Sequence, residues 1–423
     1  MRIQKLLPVH QEFPDRSLPD VAAAVRQQMD DAPWAGRVSR GSRIAIGVGS
    51  RGIRNMDTIA RAVVDFWKSR GVEPFIVPVM GSHGAATAQG QAEVLAHYGI
   101  DQASMGVPVE SSLEVVQIGT TPEGIAVSMD RRAFESDGVM LCGRVKWHTD
   151  FEGALESGIH KMMAIGLGKW EGAKRYHSWA LRIGMERVIR SVGATMLGTG
   201  KMLGGLAILE DAHHNTAGVR ALGADGMAEQ EEELLRLVKS WKPNIPVQEV
   251  DLLVLDEIGK NISGAGMDTK VVNRGGDNGP NGWNGGPTVH RIFIRDLSGN
   301  TYGNAIGMGM ADIVHDRLVE QVDFQATWVN ALTASATSPG FTPLHYATDR
   351  ECVERVLPTC GKLDTGDCTL VWIRNTLELG HLLVSENLLP ELKANPSIRV
   401  LGPAVELPFD SSGNLVSAFG LAA

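Results

Sequence analysis

The sequence predicts an α/β protein of two domains, with largely parallel sheets and an active-site cleft between the domains. Its 423 residues exceed what one hydrophobic core usually serves. Apolar runs alternate with helical patterns, which is typical of parallel strands covered by helices. A break at residues 241–246 (WKPNIP) separates two such series. We therefore predict an N-terminal domain of residues 1–245 and a C-terminal domain of residues 246–402, with residues 403–423 packing back on the first.

The order of apolar runs predicts the elements of the N-terminal domain. Four runs are expected to form strands of one sheet: residues 43–46, 74–80, 113–118 and 138–142. Two helices follow the first two strands, with apolar side chains at helical spacing: Met56, Ile59, Val63 and Trp67 in one, Val94, Leu95 and Tyr98 in the other. Thr87 is placed to cap the second helix. Residues 204–249 turn helical and charged, with a clear amphipathic helix at 228–240.

The C-terminal domain is predicted from the same kind of pattern. Strands are expected at residues 251–255, 369–373 and 398–401, and a helical stretch at 303–319. Residues 273–287 are dense in Gly, Asn and Asp, which predicts a long loop.

Composition excludes several classes of function. The formal net charge is −9 and no basic stripe is present, so neither nucleic acid nor an anionic membrane is an expected partner. No apolar stretch approaches the roughly 20 residues needed to cross a bilayer, and the N-terminus does not resemble a signal peptide. We expect a cytoplasmic protein. The four cysteines (Cys142, Cys352, Cys360 and Cys368) have no zinc-ligand spacing and are expected to be buried thiols.

The turn at residues 47–52 matches G-x-G-x-x-G between a strand and a helix, which is the context of a dinucleotide-binding loop. An NAD(P)-dependent hydroxy acid dehydrogenase is therefore the alternative function. That pattern also requires an acid at the end of the next strand, where this chain has Val79-Met80-Gly81-Ser82. Arg51 inside the loop instead favours an anion at the helix N-terminus.

Three turns that follow predicted strands carry polar side chains: Ser50-Arg51, Ser82-His83 and residues 146–149 (KWHT). Because the carboxyl ends of parallel strands meet at one edge of a sheet, these turns are expected to converge. Two histidines beside cations suit an anionic substrate that loses and regains a proton. We predict His83 and His148 as acid/base residues, with an ordinary turn role left open for His83.

The segment from Arg144 to His177 is the densest in chemical groups. Lys161 lies in a glycine-rich, apolar setting, where desolvation frees an amine for covalent attachment. Gly166 and Gly168 predict a bend whose bare backbone approaches a phosphate. His177 lies sixteen residues after Lys161, in a predicted helix.

The strings GSRGI, GSHGAAT, RVKWHTDFEGALESGIHKM and IGLGKWEGA…H resemble the nickel-dependent lactate racemase family over most of the N-terminal half. In the C-terminal half the resemblance rests on DEIGKNISGAGMD. It implies a racemase or 2-epimerase of a 2-hydroxy acid that uses a nickel-pincer nucleotide (nickel pyridinium-3,5-bisthiocarboxylic acid mononucleotide). It also implies that dedicated cofactor-synthesis enzymes are needed for maturation.

The resemblance further implies roles for single residues. Lys161 is joined to the cofactor, His177 is a nickel ligand, and His83 and His148 are the acid/base pair. Arg51 holds the substrate anion, and the lysine that contacts substrate from the second domain corresponds to Lys260 or Lys270.

Two departures from the family pattern indicate a divergent member. Val48 stands where the family prototype has an acid, and three extra residues separate His148 from Lys161. Lactate is therefore not the expected substrate, and a small hydroxy acid and a sugar acid both remain open. Two further alternatives are a binding protein that has lost the cofactor, against which the Lys161–His177 pair argues, and an isomerase with a divalent metal at Asp150, Glu152 and Glu156. Those carboxylates are equally compatible with a solvated face, or with partners that orient His148 and Lys161.

Overall fold

The computed structural model describes residues 1–49, 52–81, 83–276 and 279–419. Its strands are β1 Leu6–Gln11, β2 Arg43–Val48, β3 Glu73–Pro78, β4 Val115–Thr120, β5 Ala126–Asp130, β6 Gly138–Arg144, β7 Met202–Glu210, β8 Thr216–Gly223, β9 Glu249–Ile258, β10 Arg274–Gly275, β11 Gly279–Pro280, β12 Thr288–Leu297, β13 Ile313–His315, β14 Leu344–Tyr346, β15 Leu370–Ile373, β16 His381–Ser385 and β17 Ile398–Val400. Its α-helices are α1 Val21–Asp30, α2 Met56–Ser69, α3 Ala88–His97, α4 Gln102–Met105, α5 Arg131–Glu135, α6 Ile159–Lys161, α7 Lys169–Ile183, α8 Met185–Leu197, α9 Met227–Ser240, α10 Asp316–Glu320, α11 Phe324–Thr333, α12 Asp349–Val356 and α13 Leu389–Ala394. None of the helices described is long and apolar enough to cross a membrane.

The chain divides into a first unit, Pro14–Lys242, and a second unit formed by Met1–Phe13 and the chain from Pro243 onward. The division between Lys242 and Pro243 lies inside the predicted break. The first thirteen residues differ from the prediction, because β1 pairs antiparallel with β16 and β17 of the second unit. The C-terminal tail differs as well, since the backbone N–H of Leu6 donates to the carbonyl of Val405 at 2.7 Å within that same unit.

The first unit contains a five-stranded sheet in the order β3-β2-β6-β7-β8. Neighbours from β3 to β7 pair in parallel and β8 is antiparallel, which confirms the predicted α/β class. Helix α2 buries Met56, Ile59, Val63 and Trp67, as its spacing predicted. Thr87 caps α3 by accepting a hydrogen bond of 3.0 Å from the backbone N–H of Gly90.

Two predictions about this sheet were wrong. The run at 113–118 became β4, which pairs with β5 in a separate two-stranded sheet and is only half-buried, unlike a central strand. The first part of the stretch predicted to be helical, residues 204–223, instead lies in β7 and β8. The cause is that β7 is buried on both faces, so its continuous apolar run shows no period of two.

The second unit contains an eight-stranded sheet in the order β14-β13-β12-β9-β15-β16-β1-β17, with β14 to β15 parallel and the rest antiparallel. The predicted strands at 251–255, 369–373 and 398–401 correspond to β9, β15 and β17. The helical prediction for 303–319 was wrong, since this stretch holds 3₁₀ turns, β13 and α10. Gly303 and Gly307 have φ of +77° and +100°, which interrupt a helix. The predicted loop 273–287 contains the two-residue pair β10–β11.

The parallel strands of the first unit place four chain ends at one edge of the sheet: Val48, Pro78, Arg144 and Glu210. Ligand sites of open α/β sheets form at this edge. The turns that carry the predicted acid/base histidines begin here.

Candidate active site

The turn after β6 holds the His148 ring in one orientation. Its Nδ1 accepts a hydrogen bond of 3.0 Å from the backbone N–H of Asp150. The ring stacks on Phe151, with a centroid distance of 4.5 Å and an interplanar angle of 30°. Because Nδ1 is an acceptor here, the neutral ring carries its proton on Nε2.

Glu156 organises the same turn. Its buried carboxylate accepts hydrogen bonds from the backbone N–H of His148 at 2.5 Å and of Gly153 at 3.2 Å, and pairs with Lys239. Sequence reasoning named Glu156 but left its role open. The structure assigns it to holding the His148 turn.

The alternative metal site at Asp150, Glu152 and Glu156 is not assembled. Within the described ranges, the side chains close enough to hold one metal ion are Glu249, Asp251 and His290 in the second unit. Lys362 Nζ already lies 3.4 Å from Glu249 Oε1, so that group forms an ion-pair cluster.

His83 begins the 3₁₀ turn Gly84–Ala86 after β3 and is half-buried. The side-chain amide of Gln91 donates to the carbonyl of Gly81 at 2.9 Å and to that of His83 at 3.3 Å. Gln91 is fully buried and holds the backbone at Gly81 and His83 in place. Sequence reasoning missed it, although a glutamine on the apolar face of a helix was a signal.

His83 and His148 follow strands β3 and β6, which lie on either side of β2. Strands in a sheet are about 4.8 Å apart, so these two turns start roughly 10 Å from each other.

Arg51, the predicted substrate-binding arginine, lies outside the described residues, as do Ser50 and Ser82. Arg144 donates to the carbonyl of Gly52 at 3.4 Å and forms a 2.5 Å ion pair with Glu210. Arg144 thus joins the ends of β6 and β7 to Gly52.

The structure gives the dinucleotide pattern a packing explanation. Gly47 is a residue of β2, and a Cβ there would lie 2.3 Å from Leu141 Cδ2. Glycine is needed at this position because neighbouring side chains of the sheet leave no room for a Cβ atom. No acid follows β3, which ends at Pro78.

Lys161 is the half-buried last residue of α6 and leads directly into a π-helix, Met162–Leu167. The predicted glycine-rich bend was wrong. A Cβ at Gly166 would lie 2.2 Å from Val79 Cγ1, and one at Gly168 would lie 2.8 Å from the Tyr176 ring. The glycines permit close packing, which outweighs their low helix propensity. π-Helical turns are frequent at functional sites.

The start of α6 is fixed by a buried pair that sequence reasoning missed. His160 Nδ1 lies 2.7 Å from Glu231 Oε2, and the backbone N–H of His160 donates to the same oxygen at 3.0 Å. Both side chains are buried. Helix α9 thereby holds the residue before Lys161.

His177 lies in α7, as predicted, and is half-buried. Burial, with a smaller contribution from the positive charge of nearby Lys161, lowers its pKa to about 4. The structure therefore brings Lys161 and His177 together. A neutral imidazole is the form that binds a metal ion.

The two candidate lysines of the second unit both follow β9. Lys260 Nζ donates to Asn330 Oδ1 at 2.5 Å, and its backbone N–H donates to Thr301 Oγ1 at 3.0 Å. Lys270 is buried, with Nζ 5.1 Å from the centroid of the Trp283 ring. The choice between them stays a prediction.

Residues 6–186 match the family model described as the lactate racemase N-terminal domain. None of the curated protein sequences matches this chain. Among solved structures, the chain is similar to the lactate racemase apoprotein from Thermoanaerobacterium thermosaccharolyticum, with a TM-score of 0.49 and 13% identity. That alignment covers 83% of this chain and 91% of the other.

Proposed function

Because the chain belongs to the lactate racemase family through its domain at residues 6–186, we propose that it racemises or epimerises a 2-hydroxy acid. The observation that carries this proposal is that Lys161, which directly precedes the π-helix, lies close enough to His177 to help lower its pKa to about 4. An attachable amine and a metal-binding imidazole are the two groups that a lysine-linked metal cofactor requires.

We propose that Lys161 is joined to a nickel-pincer nucleotide and that His177 ligates its nickel. When bound, this cofactor supplies reversible hydride acceptance, so the reaction needs no dissociable NAD. The residues present fit the group. The pKa of His177 is far below neutrality, so at physiological pH its imidazole is unprotonated and protons do not compete with a metal ion for it. Lys161 is half-buried and directly precedes the π-helix.

His83 and His148 exchange the hydroxyl proton of the substrate in this scheme. One histidine removes it and the other returns it from the opposite side, because inversion at C2 requires access to both faces. To take up the hydroxyl proton at Nε2, His148 must carry its own proton on Nδ1, where the Asp150 carboxylate would replace the Asp150 backbone N–H as the partner. The Asp150 carboxylate, 3.7 Å from Nδ1, stabilises the protonated ring.

For the substrate carboxylate we propose Arg51 as the binding cation; the family resemblance also implies a lysine, Lys260 or Lys270. Val48 is fully buried at the end of β2, so no charge at this position contributes to substrate binding. A small 2-hydroxy acid and a sugar acid are the two substrate classes proposed.

Intact-protein mass spectrometry with metal analysis tests the proposal on protein produced together with the cofactor-synthesis enzymes. We expect an adduct on Lys161 and about one nickel per chain, as one ligand set predicts. Lys161→Ala should lose the adduct, while Lys174→Ala, an exposed lysine paired with Glu171, should keep it. Hydroxy acids and sugar acids are then screened for inversion by chiral chromatography.

A different result would favour the dehydrogenase alternative. Saturable NADH binding, with neither adduct nor nickel in material from the same co-expression, would overturn the proposed function.

A further inference from the structure

Lys169 is a fully buried lysine where the π-helix meets α7. Its φ is +53°, in the left-handed region that glycine adopts without penalty and that other residues rarely occupy. A side chain persists in such a conformation only where its surroundings over-determine it.

The contacts of the Lys169 ammonium account for this conformation. Nζ donates to the carbonyl of Pro78 at 2.6 Å and pairs with Asp130 Oδ2 at 2.9 Å. Asp130 is also fully buried, and its Oδ1 accepts from the backbone N–H of Ala133 at 2.9 Å. Burial lowers the pKa of Lys169, while the Asp130 carboxylate opposes this shift. The first residue of α7 is thus tied to the ends of β3 and β5.

Helix α7 and strand β3 lead to residues of the candidate site, and β5 holds α7 in place. The chain after β3 carries the His83 turn, and it packs on the π-helix that follows Lys161. A Cβ at Gly81 would lie 3.0 Å from Ile165 Cγ2, and one at Gly166 would lie 2.2 Å from Val79 Cγ1. The π-helix and the His83 turn therefore cannot shift independently.

Strand β5 holds α7 beyond Lys169. The backbone N–H of Ser128 donates to Tyr176 Oη at 2.9 Å, and Arg175 Nη1 donates to the carbonyl of Ala126 at 3.0 Å. Tyr176 directly precedes His177. Lys169 completes this row of contacts at the helix end nearest Lys161.

We propose that Lys169 and Asp130 are positioning residues that fix Lys161, His177 and the His83 turn relative to one another before any cofactor binds. The inference rests on the proposed function only for the identity of the bound group. Lys169 is not itself an attachment site, because its amine is enclosed and paired with Asp130.

Hydrogen–deuterium exchange on the cofactor-free protein tests the positioning directly. In Lys169→Met we expect amides of residues 159–177 and 79–84 to exchange about tenfold faster, while the remaining sheet keeps its protection. The matched control is Lys201→Met, which removes a half-buried lysine whose Nζ donates to the Ser136 carbonyl at 2.8 Å near the amino ends of the strands. The control should leave both segments unchanged.

The second measurement is nickel per chain and adduct on Lys161 after maturation. Lys169→Met should lower both by about tenfold at an unchanged maturation time, because misplaced groups react slowly. Wild-type protein that acquires neither nickel nor the adduct would contradict the proposed function. The exchange experiment uses cofactor-free protein, so it would still test the positioning role of Lys169.

A buried Asp130 left without its partner can prevent folding. The double variant Lys169→Met/Asp130→Leu removes both charges and serves if the single variant is insoluble. A folded variant, single or double, with wild-type exchange at 159–177 and wild-type loading would overturn the inference. Faster exchange confined to these segments supports it.

Discussion

The Nδ1 atom of His148 accepts a hydrogen bond of 3.0 Å from the backbone N–H of Asp150. The bond and the stacking on Phe151 together fix the plane of the His148 ring. His148→Ala should therefore lower kcat by about 10²–10⁴-fold, the usual contribution of a positioned acid/base group. Cofactor content should stay unchanged, because His148 is neither the proposed attachment residue nor the proposed metal ligand. Racemisation retained at wild-type rate in this variant, measured by chiral chromatography, would remove His148 from the mechanism.

The buried carboxylate of Glu156 accepts a hydrogen bond from the backbone N–H of His148 and so helps to position its turn. Glu156→Ala should lower kcat more than it changes KM, since the His148 turn loses its buried acceptor. Unsatisfied backbone donors should also reduce the free energy of unfolding by about 1–3 kcal/mol. Glu156→Gln keeps an acceptor oxygen and should recover part of kcat. Equal rates for the two variants in steady-state assays would contradict this positioning role.

The stability of the cofactor-free protein should depend on pH through His177. Its pKa falls from 6.5 in the unfolded chain to about 4 in the folded protein. Between these values the unfolded state binds more protons, so acidification through this window destabilises the fold, by about 3 kcal/mol at most. Above pH 6.5 this contribution is constant. Urea unfolding at several pH values measures the slope.

His177→Gln is the matched variant for that experiment. Glutamine does not titrate, so the part of the slope between pH 4 and 6.5 that His177 causes should disappear. An unchanged slope would mean that other groups cause the acid sensitivity.

Much of the first unit could be predicted because its signals are local. The spacing of Met56, Ile59, Val63 and Trp67 is enough to define α2, and Thr87 marks the start of α3. The predicted histidines follow apolar runs directly, so the parallel sheet brings their turns to one edge. Lys161 and His177, which the family resemblance paired, lie close enough for the lysine charge to lower the pKa of the histidine.

The remainder depends on partners far apart in sequence. Leu6 pairs with Ser385, a contact for which no local pattern exists. The buried polar residues Gln91, Glu231 and Lys169 acquire their roles from segments that come together only in the fold. The π-helix was missed because two glycines normally indicate a bend, whereas here tertiary packing decides.

Gly166 offers a way to separate packing from cofactor binding. An added Cβ would lie 2.2 Å from Val79 Cγ1 and 3.0 Å from the Val79 carbonyl oxygen, so a neighbour must move. Gly166→Ala should therefore lower the free energy of unfolding of the cofactor-free protein by about 1–3 kcal/mol, as overpacking does. Gly36→Ala is the control, because a Cβ at Gly36 meets nothing within 4 Å. A different result would contradict the packing explanation: Gly166→Ala unfolds like the wild type in urea but no longer acquires nickel during maturation. In that case the glycine would be needed for contact with the phosphate of the proposed cofactor.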